Sequence, residues 1–365
     1  QLHHANPAVK DPMSQDELLT SVEGGLGIIT LNRPQAVNAL SYNMIGLLDD
    51  ALTEFEHNDN VHAVLVRGSG DRGLCSGGDV VSIYKSAVEN DLAGVVPFFR
   101  EEYTVDHRVS AYPKPYIAIM NGLVLGGGVG ISVPGSHRVV TDSTRLGMPE
   151  VGIGFSPDVG GAYYLAHAPC HVGNYMALTG THVSGADAVY AGMADVLISD
   201  EHIEELIQRL QHIEAPEHVD PILAEYHESA PSPLEAEAHW IDTAFGADTV
   251  EEILAEVEKV ADQGNEAAQK ALKALQRNSP TGMKVALEAI RRAKNLTLAE
   301  TLAQDLRTTL NAVAGTELAE GIRAQLIDKD RNPQWSPARL EEVTDEIVQG
   351  FFEPVDGIDD LVINT

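Results

Sequence analysis

The sequence predicts an α/β body followed by a helical C-terminal region. Two observations carry this. Over the first 200 residues, short β-branched runs alternate with stretches whose apolar residues recur every three or four positions. Beyond residue 200 the short runs give way to amphipathic helical patterns. With 365 residues, 44% hydrophobic and 22% charged, the chain fits one large or two ordinary folded domains. The expected division is a disordered leader over 1–15, an α/β core over 16–200 and a helical region over 201–365.

The leader holds His3, His4, Pro7 and Pro12 and has no apolar run; Met13 is a candidate start. A strand is expected over 27–31, stopped by Asn32, Arg33 and Pro34. Ser41 is an expected N-cap, and Met44, Leu47, Leu48, Ala51, Leu52 and Phe55 follow it at helical spacing. Further strands are expected over 63–66, over 115–120 (ended by Asn121-Gly122) and over 138–141, with a helix over 95–110 between the first two. The C-terminal helices are expected over 202–212, 250–261, 267–277, 281–294 and 299–312, and Ser279-Pro280 makes a good helix start. Pro216, Pro221, Pro231 and Pro233 break the stretch after Ile213 into loops and short helices.

Charge narrows the function. Basic residues number 24 against 55 acidic ones, a formal charge of −31, which repels phosphate backbones and argues against nucleic-acid or anionic-membrane partners. One island departs from this: residues 270–294 hold Lys270, Lys273, Arg277, Lys284, Arg291, Arg292 and Lys294 against only Glu288. Solvated helix faces explain it most simply; a ligand phosphate or an acidic subunit face is the alternative. The two cysteines, Cys75 and Cys170, cannot make a disulfide framework and suggest a reducing compartment, with a cytoplasmic location expected. No run approaches the ~20 apolar residues of a membrane-spanning helix.

Three segments are candidates for chemistry. Gly122-Leu123-Val124-Leu125-Gly126-Gly127-Gly128-Val129-Gly130 follows a buried strand. Its glycines let backbone approach a ligand, and a helix starting there would turn amides toward an anion or oxyanion. Close strand–helix packing explains it equally well. The dinucleotide and phosphate-loop patterns are absent. Cys75-Ser76-Gly77-Gly78-Asp79 is a second glycine turn after a strand, and two such turns can supply two N–H donors to one oxygen. Cys75 itself is expected to be a small buried residue. In Met148 to Gly161, Glu150 and Asp158 stand in an apolar, glycine-rich run. Apolar surroundings raise carboxylate pKa values toward neutrality, as acid–base catalysis requires. Their simpler roles are a surface loop for Glu150 and an N-cap at Val159 for Asp158. His167 to His171 lacks a fourth metal ligand, so no metal is expected. No G-x-S-x-G elbow occurs.

Together and in this order, these segments resemble the crotonase (enoyl-CoA hydratase/isomerase) superfamily. Ile29-Thr30-Leu31-Asn32-Arg33-Pro34-Gln35-Ala36-Val37-Asn38-Ala39-Leu40 is similar to the family's first strand and CoA-contact loop; Gln35 stands where many members carry lysine. The resemblance implies a crotonase-like spiral of ββα units. It implies an oxyanion hole from the N–H groups of Gly78 and Gly127, and CoA contacts at Ala36, Val37 and Asp79. Hydratases of the family use two glutamates, one in G-G-G-x-E and one matching Glu150; here Gly130 holds the first position.

Phe98-Phe99-Arg100-Glu101-Glu102-Tyr103 and Phe155-Ser156-Pro157-Asp158-Val159-Gly160-Gly161 are similar to the superfamily's 3-hydroxyisobutyryl-CoA hydrolase branch. So is the tail from Glu320 to Asp330 followed by Pro333-Gln334-Trp335. That branch implies thioester hydrolysis in valine breakdown, with Glu150 and Asp158 catalytic and Glu102 on the substrate hydroxyl. It implies no cofactor beyond the CoA of the substrate; trimers and hexamers are common in the superfamily, and a tail folded back onto its own body is the alternative. An enoyl-CoA isomerase or hydratase is the alternative.

Overall fold

The computed structural model describes residues 16–364. The expected leader over 1–15, with Met13, lies outside them. Contacts divide the chain into two compact units. The first gathers residues up to 78, 104–146 and 183–232; the second gathers 79–103, 147–182 and 233–365. This differs from the expected boundary at residue 200, and burial gives the reason. The Ile203–Gln211 helix buries its apolar stripe on the sheet, while the Gly161–Ala166 and Val172–Thr179 helices pack against the Pro280–Ala293 helix.

In the first unit the strands are β1 (Leu18–Glu23), β2 (Leu26–Leu31), β3 (Ala63–Gly68), β4 (Gly73–Cys75), β5 (Tyr116–Met120), β6 (Leu123–Leu125), β7 (His137–Thr141), β8 (Arg145–Gly147) and β9 (Val196–Ile198). The larger sheet runs β1-β2-β3-β5-β7-β9; β1 is antiparallel to β2 and the other pairs are parallel. The smaller sheet runs β4-β6-β8. Leu26, Ile28, Ala63, Leu65, Ile117, Ile119 and Val139 form one apolar face. Ile203, Leu206, Ile207 and Leu210 cover it at the i, i+3, i+4, i+7 spacing of a helix stripe. Ile29, Leu31, Val64, Val66 and Ala118 are buried as well, so the central strands are apolar on both faces, as a parallel sheet requires. The Tyr42–Glu56 helix begins as expected, with Ser41 Oγ accepting the Met44 N–H at 3.1 Å.

The sequence pattern does not reveal β1, β4, β6, β8 or β9. Strand β1 exposes nearly all of its side chains, and the others span three residues each, too short to show a period.

The second unit is helical. Its helices include Val80–Val88, Gly161–Ala166, Val172–Thr179, Val250–Asp262, Glu266–Arg277, Pro280–Ala293 and Leu298–Ala314. Ser279 caps the Pro280 helix, and Thr297 forms a capping box with Glu300. Three members of the basic island on these helices, Lys284, Arg291 and Arg292, are tied to neighbours. Lys284 bonds Glu251 at 3.0 Å, and Arg292 bonds Glu288 and lies 4.0 Å over the Phe352 ring. No helix among the described residues is long and apolar enough to cross a membrane.

Candidate active site

The glycine turns belong to the first unit, and β-pairing brings them together. Strands β4 and β6 are parallel neighbours with Cys75 opposite Val124, so Gly77-Gly78 and Gly126-Gly127 leave the same end of one sheet. The approach is tight. A Cβ on Gly128 would come within 2.6 Å of the Cys75 carbonyl oxygen, so no larger residue fits there. Gly127 opens the short Gly127–Gly130 helix, and a first-turn N–H has no acceptor within its own helix. Gly78 bridges to Leu40, next to the Leu40 N–H bond to the Gly77 carbonyl at 2.8 Å.

The 33–40 loop is docked at the same place. Ser76 donates its hydroxyl to the Ala36 carbonyl and its N–H to the Val37 carbonyl, both at 2.9 Å. Asn38, with its φ of 56°, donates to the Ser69 and Gly73 carbonyls, each at 3.1 Å. Ala36, Val37, Gly78 and Gly127 thus converge. Asp79 begins the second unit, where it precedes the Val80–Val88 helix and accepts from Ser82 Oγ at 3.2 Å.

The carboxylates belong to the second unit. Glu102 lies on the Val96–Ser110 helix, Glu150 opens the 3-10 turn Glu150–Ile153, and Asp158 precedes the Gly161–Ala166 helix. Their exposures are 3%, 8% and 6%, so the surface-loop role for Glu150 is excluded and Glu102 is likewise buried. The capping role for Asp158 is corrected too. The N-cap is Gly160, and the Gly161 N–H bonds the backbone carbonyl of Asp158 at 2.8 Å. The Asp158 carboxylate instead accepts from the Tyr103 hydroxyl at 2.7 Å.

Burial sets the acidities. It pushes Glu150 up to about 8, with the Asp158 charge adding to the rise. It pushes Asp158 up to about 6, the Tyr103 hydrogen bond working against the rise. Glu102 is raised well above the ordinary range by burial, then by Asp158 and Glu150. The Tyr103 hydrogen bond thus favours the ionised form of Asp158, while burial and the neighbouring carboxylates push Glu150 and Glu102 toward their neutral forms. Glu150 Oε1 is buried with no hydrogen-bond partner among the described residues, a group left open for chemistry.

The C-terminal tail braces the Glu150 turn. Glu317 accepts from the Ser336 N–H at 2.6 Å and the Ser279 hydroxyl at 2.9 Å; the Ser279 N–H in turn bonds the Val151 carbonyl at 3.0 Å. A Cβ on Gly321 would lie 2.1 Å from the Ile153 carbonyl oxygen, so the Glu317–Ile322 helix meets this turn through bare backbone. Arg323 grips Glu320, Asp328 and Asp330 at 2.7–2.8 Å, and the Trp335 indole donates to the Arg277 carbonyl at 2.9 Å. The tail segment read as a family likeness is thus an internal clamp.

A family profile described as enoyl-CoA hydratase/isomerase matches residues 26–352. The chain belongs to this family. Its fold is the crotonase-type α/β fold expected from the resemblance, and its enzymatic class follows. The mitochondrial 3-hydroxyisobutyryl-CoA hydrolase of Gallus gallus is 36% identical over 356 residues, 95% of this chain and 91% of that protein. The crystal structure of a carnitinyl-CoA dehydratase from Mycobacterium thermoresistibile is 44% identical, with a TM-score of 0.88 over 94% of this chain and 98% of that one. An enoyl-CoA hydratase structure from Rhodobacter sphaeroides 2.4.1 is 34% identical, with a TM-score of 0.87 over 95% of this chain and 100% of that one. Family members so similar carry names for different reactions, so the side chains must decide between them.

Sequence reasoning missed Tyr103, Asp305 and Thr309. Asp305 is fully buried on the Leu298–Ala314 helix and accepts the Gly160 N–H at 2.8 Å. A carboxylate between Leu302, Leu306 and Leu310, on what reads as an apolar helix, was the available signal. Cys75 is buried, as expected, and Cys170 is exposed. His171 pairs with Asp242 at 2.8 Å. Among the described residues no group of His, Cys, Asp and Glu is arranged to hold a metal ion.

Proposed function

We propose that this chain hydrolyses the thioester of a short β-hydroxyacyl-CoA, with 3-hydroxyisobutyryl-CoA the first choice, as in valine breakdown. The observation that carries this reading is the buried cluster of Glu102, Glu150 and Asp158. The names of the hydrolase relatives support it. In this reading the N–H groups of Gly78 and Gly127 polarise the thioester carbonyl, and one such donor is worth ~3 kcal/mol. Glu150 takes the proton of the attacking water or attacks the carbonyl itself, forming an anhydride that water then opens. Either route consumes one water, breaks the C–S bond and yields the free acid and CoA thiol. Asp158 orients the water or the substrate hydroxyl. Glu102, which burial pushes toward its neutral form, offers both an acceptor oxygen and an O–H donor to that hydroxyl when protonated.

Ala36, Val37 and Asp79 contact CoA in this reading. No cofactor or metal takes part, and CoA is a portion of the substrate. Trimers or hexamers are the expected assembly, which sedimentation would check. A cytoplasmic location is part of the proposal, resting on the two free cysteines, and cell fractionation tests it.

The alternative, a hydratase or dehydratase, draws on the carnitinyl-CoA dehydratase likeness. Against it stands Gly130, at the position where the family's hydratases hold their first glutamate. The test is thiol release from 3-hydroxyisobutyryl-CoA, with crotonyl-CoA followed by its conjugated absorbance. Fast thiol release with slow loss of crotonyl absorbance is expected. The reverse pattern would overturn the reading.

A further inference from the structure

Asp158 is held from both sides. Its Oδ2 accepts the Tyr103 hydroxyl at 2.7 Å, and the same hydroxyl oxygen lies 2.7 Å from Thr309 Oγ1. An ionised carboxylate only accepts, so Tyr103 donates to Asp158 and Thr309 donates to Tyr103. The chain of donors points one way, toward the carboxylate. Tyr103 is fully buried and stacked near Phe99, with ring centroids 5.9 Å apart, so its hydroxyl has little freedom.

The backbone beside Asp158 is strained. Val159 has a φ of 53°, a left-handed conformation that is strained for a β-branched residue and persists only where its surroundings enforce it. Asp305 supplies the enforcement by accepting the Gly160 N–H at 2.8 Å. Asp305 and Thr309 are four residues apart on the Leu298–Ala314 helix, hence on one face, and serve the same turn.

We propose that Tyr103, backed by Thr309, is a positioning residue that fixes the orientation of the Asp158 carboxylate, while Asp305 holds the turn that presents it. The proposal rests on the hydrolase reading for its catalytic consequence and on the geometry alone for its structural one. The charged and titratable groups acting on this cluster are Glu102 and Tyr103 from one helix, Glu150 from the 3-10 turn and Asp305 from another helix.

The test compares Tyr103→Phe, Thr309→Val and Thr309→Ser. Tyr103→Phe keeps the ring and loses the donor, so Asp158 binds its proton more tightly. The lower break in the acid limb of kcat/KM for thiol release, where Asp158 ionises, moves up by about one pH unit, a tenfold loss below that break, and KM changes less than about twofold. Thr309→Val moves the limb the same way by less, and Thr309→Ser restores it. Carboxylate infrared titration, with Asp158→Asn identifying the band, reads the same shift without turnover.

A limb and an Asp158 band that stay in place, with only the melting temperature lowered, would overturn the proposal. If Tyr103→Phe does not fold, Thr309→Val decides. If the wild type releases no thiol from any β-hydroxyacyl-CoA, the hydrolase reading fails, and the infrared titration still decides this proposal.

Discussion

The two units hold their chemistry in different materials. In the first, the candidate groups are backbone N–H donors on glycine turns, placed by the pairing of β4 and β6. In the second they are side-chain carboxylates drawn from a helix, a 3-10 turn and a loop, with a further helix holding them in place. The difference teaches which kind of site tolerates substitution. A backbone donor survives a change of side chain so long as the turn is kept, whereas a buried carboxylate has no substitute of the same charge and size.

The largest expected effect breaks the second half. Glu150→Gln keeps the shape and removes the base, so kcat for thiol release falls at least about 10³-fold while acyl-CoA still binds. Retention of more than a tenth of the activity would remove Glu150 from the mechanism. Breaking the first half needs a change that deletes an N–H. Proline is tolerated at a first helical position, so Gly127→Pro deletes the donor, and Gly127→Ala is the control that keeps it. A loss of about 10²-fold for proline over alanine is expected in stopped thiol-release assays. Equal losses for both would mean that packing, not the amide, is what the glycine supplies.

Legibility in the sequence follows the same division. The glycine turns could be read because backbone demands are local: the clusters Gly77-Gly78 and Gly126-Gly127 show in the sequence itself, although the short strands directly before them do not. Gly128 could be called special from sequence, but the reason, the Cys75 carbonyl 2.6 Å from its missing Cβ, needed the strand pairing. Glu150 and Asp158 stood out as carboxylates in an apolar, glycine-rich run, but Glu102 was legible only through family resemblance, since residues 102, 150 and 158 reveal no proximity by spacing. Tyr103 and Thr309 were illegible because their meaning is one hydrogen bond across 206 positions. The four helices between 250 and 314 were predicted almost to the residue, since each carries its own cap and stripe.

A smaller effect sharpens the role of Glu102. Because burial and its neighbours push Glu102 toward its neutral form, Glu102→Gln mimics that form and should cost less than about tenfold. Glu102→Ala removes the hydroxyl's partner. It should lower the preference for a β-hydroxyacyl-CoA over its deoxy analogue by about 10–10²-fold, read as a ratio of kcat/KM values. A large loss with Gln and an unchanged preference with Ala would mean that the group works ionised and does not read the hydroxyl.

The smallest effect concerns stability. Glu150 and Asp158, like Glu102 and Asp305, bind protons more tightly in the folded chain than in the unfolded one, where carboxylates titrate near pH 4. Their penalty is therefore absent below about pH 4. It grows as pH rises, through about 6 for Asp158 and about 8 for Glu150. Stability falls across that window, opposite in sign to the surface acids that pair with arginine, such as Asp360 with Arg307 at 2.6 Å, which stabilise as they ionise. Glu150→Gln removes one of the penalised groups, so it should raise the melting temperature by a few degrees at pH 8.5 and by much less at pH 5. An equal shift at both pH values would mean that repacking, not ionisation, is responsible. The acidic cluster would then cost the fold nothing that the glycine turns do not.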